Sequence, residues 1–290
     1  MGKILWDAIY ATPTMRLIGY SDIDKKKRIY TDLPFFTDYK EMIQKIHPTI
    51  AVIATPNYTH ADIIKYCIDN GIHVACEKPL TTTYEESLGL IEYAYRNNCI
   101  VETIYHRSFN ENIADIRSQT DVEKIHVRYL ENIVDQSDNR RYENKESSGG
   151  GCIIDNGINV LDILTRLCTD LRCENVEIGY TKIFPDDIET NSIIKLTTPH
   201  THIAVTIELD RLYPWEKKDI TLTHTDGTTT YRDMLTGYTG FKASLPHEYK
   251  AYMQQFITKI RNWKIEKDKN TIKNMFLLKQ IYTHWATWKK

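Results

Sequence analysis

The chain has no hydrophobic run of the ~18 residues that a membrane-spanning helix needs. Its opening residues, Met1-Gly2-Lys3-Ile4-Leu5-Trp6, carry neither the apolar core nor the small-residue cleavage site of a secretion signal. Trp6 stands where an acylation signal at Gly2 would place serine or threonine. Net charge is also nearly missing: 37 basic against 39 acidic residues give −2, so no global field recruits nucleic acid or an anionic membrane. Six cysteines (Cys67, Cys76, Cys99, Cys152, Cys168 and Cys173) include no Cys-x-x-Cys pair, so buried reduced thiols in a cytoplasmic protein are expected. The ten histidines form no His-x-x-x-His pattern, and no metal site is expected. The Gly-x-Gly-x-x-Gly loop of a dinucleotide-binding protein is absent as well.

What is present is ordinary globular material. Hydrophobic residues make up 41% and charged residues 26% of 290, enough for two domains. The first half alternates strand and helix. Residues 15–20 (MRLIGY), 49–55 (TIAVIAT), 72–76 and 100–105 predict buried parallel strands. Residues 59–70 predict a helix stopped at Gly71, and Thr83 with Glu86 forms a capping box for a helix to about residue 97. This rhythm specifies a Rossmann-type parallel α/β sheet with crossovers, over residues 1–108. Residues 109–290 then predict an α+β domain. It comprises a strand at 124–130, a polar loop at 135–148, a helix at 155–167, and β-runs at 176–183, 191–197, 202–209 and 219–224 in a mostly antiparallel sheet. Helices near 247–263 and 271–288 close the chain, the C-terminal one expected to pack back on the first domain.

Asp22 ends the MRLIGY strand, where a carboxylate can accept from both ribose hydroxyls of NAD and repel a 2′-phosphate. Gly2 lies 20 residues earlier and fits the last glycine of a fingerprint whose strand and first two glycines would precede Met1. Residues 3–11 then form the helix that carries a pyrophosphate at its positive end. On this view the sheet is N-terminally truncated as written, and weak binding of NAD(H) is expected. The run Lys25-Lys26-Lys27-Arg28 is a solvated segment or, alternatively, a clamp for the 2′-phosphate of NADP.

Three segments resemble the glucose–fructose oxidoreductase, inositol dehydrogenase and rhizopine-catabolism (Gfo/Idh/MocA) family. They are Ala54-Thr55-Pro56-Asn57-Tyr58-Thr59-His60, Gly71-Ile72-His73-Val74-Ala75-Cys76-Glu77-Lys78-Pro79-Leu80, and the stretch from Gly149-Gly150-Gly151 through Asp155, Gly157 and Asn159 to Asp162. The resemblance implies a hydride transfer between NAD or NADP and a hydroxyl or keto carbon of a sugar, sugar derivative or cyclitol. Asp22 favours NAD. It implies that Thr55, Pro56 and Asn57, in the turn that His60 completes, line the cofactor. Glu77 and Lys78 approach the nicotinamide, and Arg107 lies near the cofactor. Lys78 and Asp155 face the reacting carbon. The family's histidine, four residues after the aspartate, is here Asn159, which can hold a hydroxyl but cannot titrate.

In physical terms, a lysine buried beside a cationic ring loses its proton more readily and can exchange it with the substrate. Asp155 and Asn159, four apart on one helix, share a face that Asp162 continues. His60, Tyr105 and His106 are candidate helpers, and Tyr213, Trp215 and Tyr238 candidate sugar-stacking rings. The expected partner is a small sugar or polyol, with no nucleic acid and no membrane, and a homo-oligomer formed through the second-domain sheet. The competing expectations are a catalytically inactive relative that binds a sugar or protein, and a hydrolase that uses NAD transiently.

Overall fold

Short β-branched runs bounded by turns build the first sheet. In the computed structural model, which describes residues 1–28, 32–133, 148–180 and 188–288, they form β3 (Ile50–Ile53), β4 (His73–Glu77) and β5 (Val101–Ile104). The three are parallel, with Ile50 beside His73 and Val74 beside Val101. Before them come α1 (Gly2–Tyr10), a two-residue parallel ladder of β1 (Tyr20–Ser21) with β2 (Phe35–Phe36), and α2 (Tyr39–Ile46). Between the strands lie α3 (His60–Asp69) and α4 (Tyr84–Arg96), the latter capped by the Thr83 hydroxyl accepting from the Glu86 amide at 3.3 Å.

The MRLIGY run is not the buried strand its composition suggested. Only Tyr20 and Ser21 join a ladder, and residues 15–19 alternate: Met15 and Leu17 turn inward while Ile18 is exposed. A segment with one solvated face has period two, and its apolar letters alone hide that.

Side chains of the three-stranded sheet alternate between two cores. On one face Ile53, Val74, Cys76 and Val101 pack with Ile64, Cys67 and Ile91 of α3 and α4. On the other, Ala75, Ile100 and Ile104 pack with Leu5, Ala8 and Ile9 of α1 and with a late helix, α6 (Leu245–Arg261). Each fully buried isoleucine or leucine contributes roughly 1.5–3 kcal/mol by leaving water.

The second half holds β6 (Val122–Asn132), a π-helical turn (Ile153–Gly157) running into α5 (Ile158–Leu167), then β7 (Arg172–Gly179), β8 (Asn191–Thr197), β9 (Ala204–Asp210), β10 (Leu212–His224) and β11 (Thr229–Asp233). After α6 the chain ends in α7 (Lys269–Trp288). The sheet order is β11-β10-β6-β9-β8-β7, antiparallel except for the parallel pair β6 and β9. One face of this sheet buries Ile125, Val127, Ile194, Ile207 and Leu222 against α5 and α7. α7 also touches α4, while α6 returns to the first sheet, so both closing helices bridge back. The polar loop expected over 135–148 lies, except for Ser148, outside the described residues, as does the end of the strand expected to reach Ile183.

The triple glycine has a packing reason. A Cβ on Gly151 would sit 2.0 Å from the Glu189 carbonyl oxygen, and Gly150 has φ +148 with Tyr282 Oη 2.6 Å from where its Cβ would be. Only glycine allows the segment entering the π-turn to press on residues 189–190. All six cysteines are free thiols, five of them buried.

Candidate functional site

A cleft with about 620 Å³ of empty space opens where β3, β4 and β5 end. Ligands of open α/β sheets bind at such carboxyl ends. The first sheet contributes Ala54, Thr55, Asn57, Glu77, Lys78, His106 and Arg107 to its wall. The opposite wall is Tyr129 and Glu131 of β6, Asp155, Asn156 and Asn159 of the π-turn and α5, Lys242, and Leu245 and Tyr249 of α6. Met1, at the start of α1, completes the rim, so the positive end of that helix opens on the cleft.

Lys78 and Asp155 meet across the cleft. Lys78 Nζ donates to Asp155 Oδ1 at 2.6 Å and to the Asp155 carbonyl at 2.7 Å, and both side chains are largely shielded from solvent. The peptide bond from Lys78 to Pro79 is cis. Asp155 Oδ2 lies 3.5 Å from Nη2 of the buried Arg211. Asn159 Nδ2 points to the Asp155 carbonyl at 3.5 Å, which leaves Asn159 Oδ1 buried in the cleft wall without a hydrogen-bond partner; Asn156 Nδ2 is in the same position.

Glu248, behind the cleft, is a buried hub. It accepts from Arg107 Nη1 at 2.7 Å, from Asn110 Nδ2 at 2.7 Å, and contacts His106 Nδ1 at 2.7 Å. Burial opposes its charge, yet Arg107 and the hydrogen bonds from His106 and Asn110 bring its carboxyl down to about 2. Burial pushes His106 down to about 4 against the pull of Glu248. Glu77 is raised by burial and partly drawn back by the Tyr249 hydroxyl, which donates to it at 2.7 Å. Burial likewise opposes charge on Glu131, but Lys218 and Lys242 bring it to about 2. Lys218 itself is fully buried, bonded to Glu131 and Glu216 and set 4.5 Å from the Tyr129 ring centre.

Of the residues singled out from sequence, Thr55, Asn57, Glu77, Lys78, Arg107, Asp155 and Asn159 line this cleft. Asn57 also ties it to the second half by donating to the Ser148 carbonyl at 2.8 Å. Gly2 opens α1 with empty space around it, and Pro56 precedes the short turn Asn57–Thr59. Arg107 is not free for a ligand phosphate. Its guanidinium is fully buried and committed to Glu248, to Ser244 at 2.9 Å and to Tyr129 at 3.2 Å.

His60 stands behind the wall, not in it: its ring nitrogens lie 2.9 Å from the Thr55 carbonyl and 3.0 Å from the Pro79 carbonyl. That bridge joins the two turns the sequence had set side by side. Asp22 lies at the strand end but not in the cleft, and its Oδ1 accepts from the Asp24 amide at 2.9 Å. Lys25 and Arg28 line a separate shallow hollow with Phe36 and Lys45.

Asp162 does not continue the face of Asp155 and Asn159. It is fully buried, bonded to Ser108, Arg166 and Asn274. One turn beyond Asn159 in α5, Asp162 has passed the cleft and meets Ser108 and Asn274 of α7 instead. Trp215, 72% exposed, packs edge-on against Tyr213 away from the cleft, and Tyr238 donates to Glu111. Among the described residues no group of histidine, cysteine or carboxylate side chains is arranged to hold a metal, and no helix is long and apolar enough to cross a membrane.

Glu131, Glu248 and Tyr249 were not singled out from sequence. Glu131 extends the inward set Ile125, Val127, Tyr129 of β6, and Glu248 sits in the buried stripe Leu245, Tyr249, Tyr252 of α6. A carboxylate at an inward-facing position is the signal that marks both.

A parallel sheet with its cleft at the strand ends, faced by a second, mostly antiparallel sheet, defines a Rossmann-type α/β fold followed by an α+β part. Residues 2–105 match the family model described as "Oxidoreductase family, NAD-binding Rossmann fold". Over those residues the chain is similar to that family, Gfo/Idh/MocA. It is similar to the D-glucoside 3-dehydrogenase of Escherichia coli, 26% identical over 46% of this chain and 39% of that one. It is also similar to the scyllo-inositol 2-dehydrogenase (NADP(+)) IolW of Bacillus subtilis, 24% identical over 49% of this chain and 41% of that one. An uncharacterized oxidoreductase of Schizosaccharomyces pombe is 29% identical over 30% of this chain and 23% of its own length. The chain thus spans less than half the length of each of these relatives. Among solved structures, levoglucosan dehydrogenase with NADH and levoglucosan superposes with a TM-score of 0.82 at 15% identity, covering 99% of this chain and 95% of that one. GenD2 from gentamicin A biosynthesis, with NAD, gives 0.82 at 17% over 99% and 91%. At such identities the likeness is one of fold.

Proposed function

We propose that this chain is an NAD(P)-dependent oxidoreductase of sugars, sugar derivatives or cyclitols, with its chemistry at Lys78. The observation that carries this reading is the Lys78–Asp155 pair across the cleft, 2.6 Å apart. The match of residues 2–105 to the family model and the names of the relatives support the same class.

The cleft suits a nicotinamide nucleotide. The positive end of α1 favours a phosphate, Thr55 and Asn57 supply uncharged polar groups, and the buried Glu77 carboxyl can meet a ribose or carboxamide. When bound, the nicotinamide accepts or donates the hydride. Lys78 gives or takes the proton of the substrate oxygen at Nζ, and Asp155 holds that nitrogen in place. Asn159 Oδ1 and Asn156 Nδ2, one acceptor and one donor, are complementary to a hydroxyl. An intact lysine–carboxylate pair weighs against a catalytically inactive relative.

Asp22 at its strand end, though outside the cleft, supports NAD, with Lys25 and Arg28 as the competing feature; kcat/KM measured with NAD and with NADP decides between them. The protein is assigned to the cytoplasm and to an oligomer formed through the six-stranded sheet, whose exposed Ile193 and Tyr231 suit a contact surface; light scattering after gel filtration reads the state. The decisive experiment is a screen of inositols, glucosides and free sugars for NAD(P)H formation. No nicotinamide-dependent turnover with any of them overturns the function.

A further inference from the structure

His106 follows β5 and is only 4% exposed, yet it forms part of the cleft wall. Its Nδ1 is engaged by Glu248 Oε2 at 2.7 Å. Glu248 is ionised under the charge of Arg107, and a carboxylate can only accept, so the shared proton sits on Nδ1. The Tyr249 ring stacks on the imidazole at 4.7 Å and 21°, which sets the plane of the ring. Burial, Arg107 and Lys78 all disfavour a second proton, with Glu248 the opposing group. Nε2 is therefore left as a lone-pair acceptor, and no hydrogen bond engages it among the described residues. In a neutral imidazole the bond made by one nitrogen fixes the role of the other.

We propose that His106 is a substrate-binding residue whose Nε2 accepts a hydrogen bond from a hydroxyl of the polyol, with Glu248 and Tyr249 as the positioning residues that fix its tautomer and ring plane. The proposal rests on the oxidoreductase function proposed above. It adds a selection rule. A ligand presenting a hydroxyl at this point is held, whereas one presenting an oxo, ether or carboxylate oxygen sets two lone pairs against each other and is rejected.

The test compares wild type, His106→Leu and His106→Gln in steady-state oxidation of the best polyol from the screen. Wild-type protein selectively labelled with 15N-histidine is titrated in parallel with myo-inositol and methyl glucoside in the presence of NAD. Expected are a KM for polyol raised about tenfold or more in His106→Leu, a nearly unchanged KM for nucleotide, and substantial recovery in His106→Gln, whose amide oxygen can accept. The labelled protein should show an unprotonated Nε2 whose resonance moves on addition of polyol. A KM for polyol within about twofold of wild type in His106→Leu overturns the proposal and leaves the function standing. If wild type turns nothing over, the function fails and the spectrum alone decides. An Nε2 resonance that moves with polyol supports the assignment, and one that is protonated at the start or unmoved throughout overturns it.

Discussion

Replacing Glu248 by leucine would remove the carboxylate paired directly with a fully buried guanidinium. Arg107 and Glu248 are 1% and 0% exposed at the side chain, and Nη1 to Oε1 is 2.7 Å. Arg107 keeps Ser244 and the Tyr129 hydroxyl, which are uncharged, and its Nε has no partner even now. Breaking one side of such a pair costs about 3–5 kcal/mol, because the remaining charge stays out of water. That is a large share of the ~5–15 kcal/mol that holds a domain folded. The Asn110 amide and His106 Nδ1 lose their acceptor in the same step and add to the loss. Urea unfolding followed by circular dichroism should show the main transition moved down by that amount, and a melting point lower by at least about 6 °C. The double variant Glu248→Leu with Arg107→Met should regain much of the stability, since a well-packed apolar pair replaces an ion pair at little cost. A single variant that loses under about 1 kcal/mol, or a double variant no better than the single, refutes the view that this pair is a dry, mutually dependent joint.

Lys78→Ala should abolish turnover while the urea midpoint stays near wild type; an unchanged kcat removes Lys78 from the chemistry. Gly151→Ala should lower the unfolding free energy by about 1–3 kcal/mol, because the added methyl would lie 2.0 Å from the Glu189 carbonyl oxygen, and a neutral result would show that residues 149–151 can shift freely. Stability should fall as pH drops below 6.5. His106, held at about 4 when folded, refuses a proton that the unfolded chain takes, and each such group contributes up to about 1.4 kcal/mol per pH unit. His73, also lowered by burial, acts in the same direction. Below 4.5 Glu248 and Glu131, held at about 2, add to the loss; Glu77, raised by burial, takes its proton first in the folded chain and so offsets part of the loss above 4.5. A urea midpoint flat between about pH 7 and 5 would contradict the burial of the neutral His106.

The parallel α/β half was legible because its strands are short runs with apolar residues on both faces, and β3, β4 and β5 fell within a residue or two of expectation. The antiparallel runs were legible as strands from their alternation, but their order was not. That β6 lies parallel to β9, with β11 added at the edge, depends on pairing between segments some eighty residues apart. Lys78 and Asp155 could be found because each lies in a short, recognisable segment. Glu248 stood out only as a carboxylate in an apolar stripe, and what it and Tyr249 hold could not be read, since Glu77, His106 and Arg107 lie more than 140 residues earlier.

The return of α6 to the first sheet has a consequence for how the chain comes off the ribosome. By the time β5 emerges, the strands that will carry the cleft exist, but the face bearing Ala75, Ile100 and Ile104 is covered only by α1 and the segment of Met15 and Leu17. Its other cover, Met253, Tyr252 and Phe256, is translated some 150 residues later, together with Glu248 and Tyr249. At ~5–20 residues per second that interval lasts roughly ten to thirty seconds, during which an apolar sheet face stands open to water and to other nascent chains. The nucleotide half therefore cannot mature ahead of the rest. A ribosome stalled at residue 240 should hold it protease-sensitive, and one stalled after residue 290, with the whole chain clear of the exit tunnel, should not.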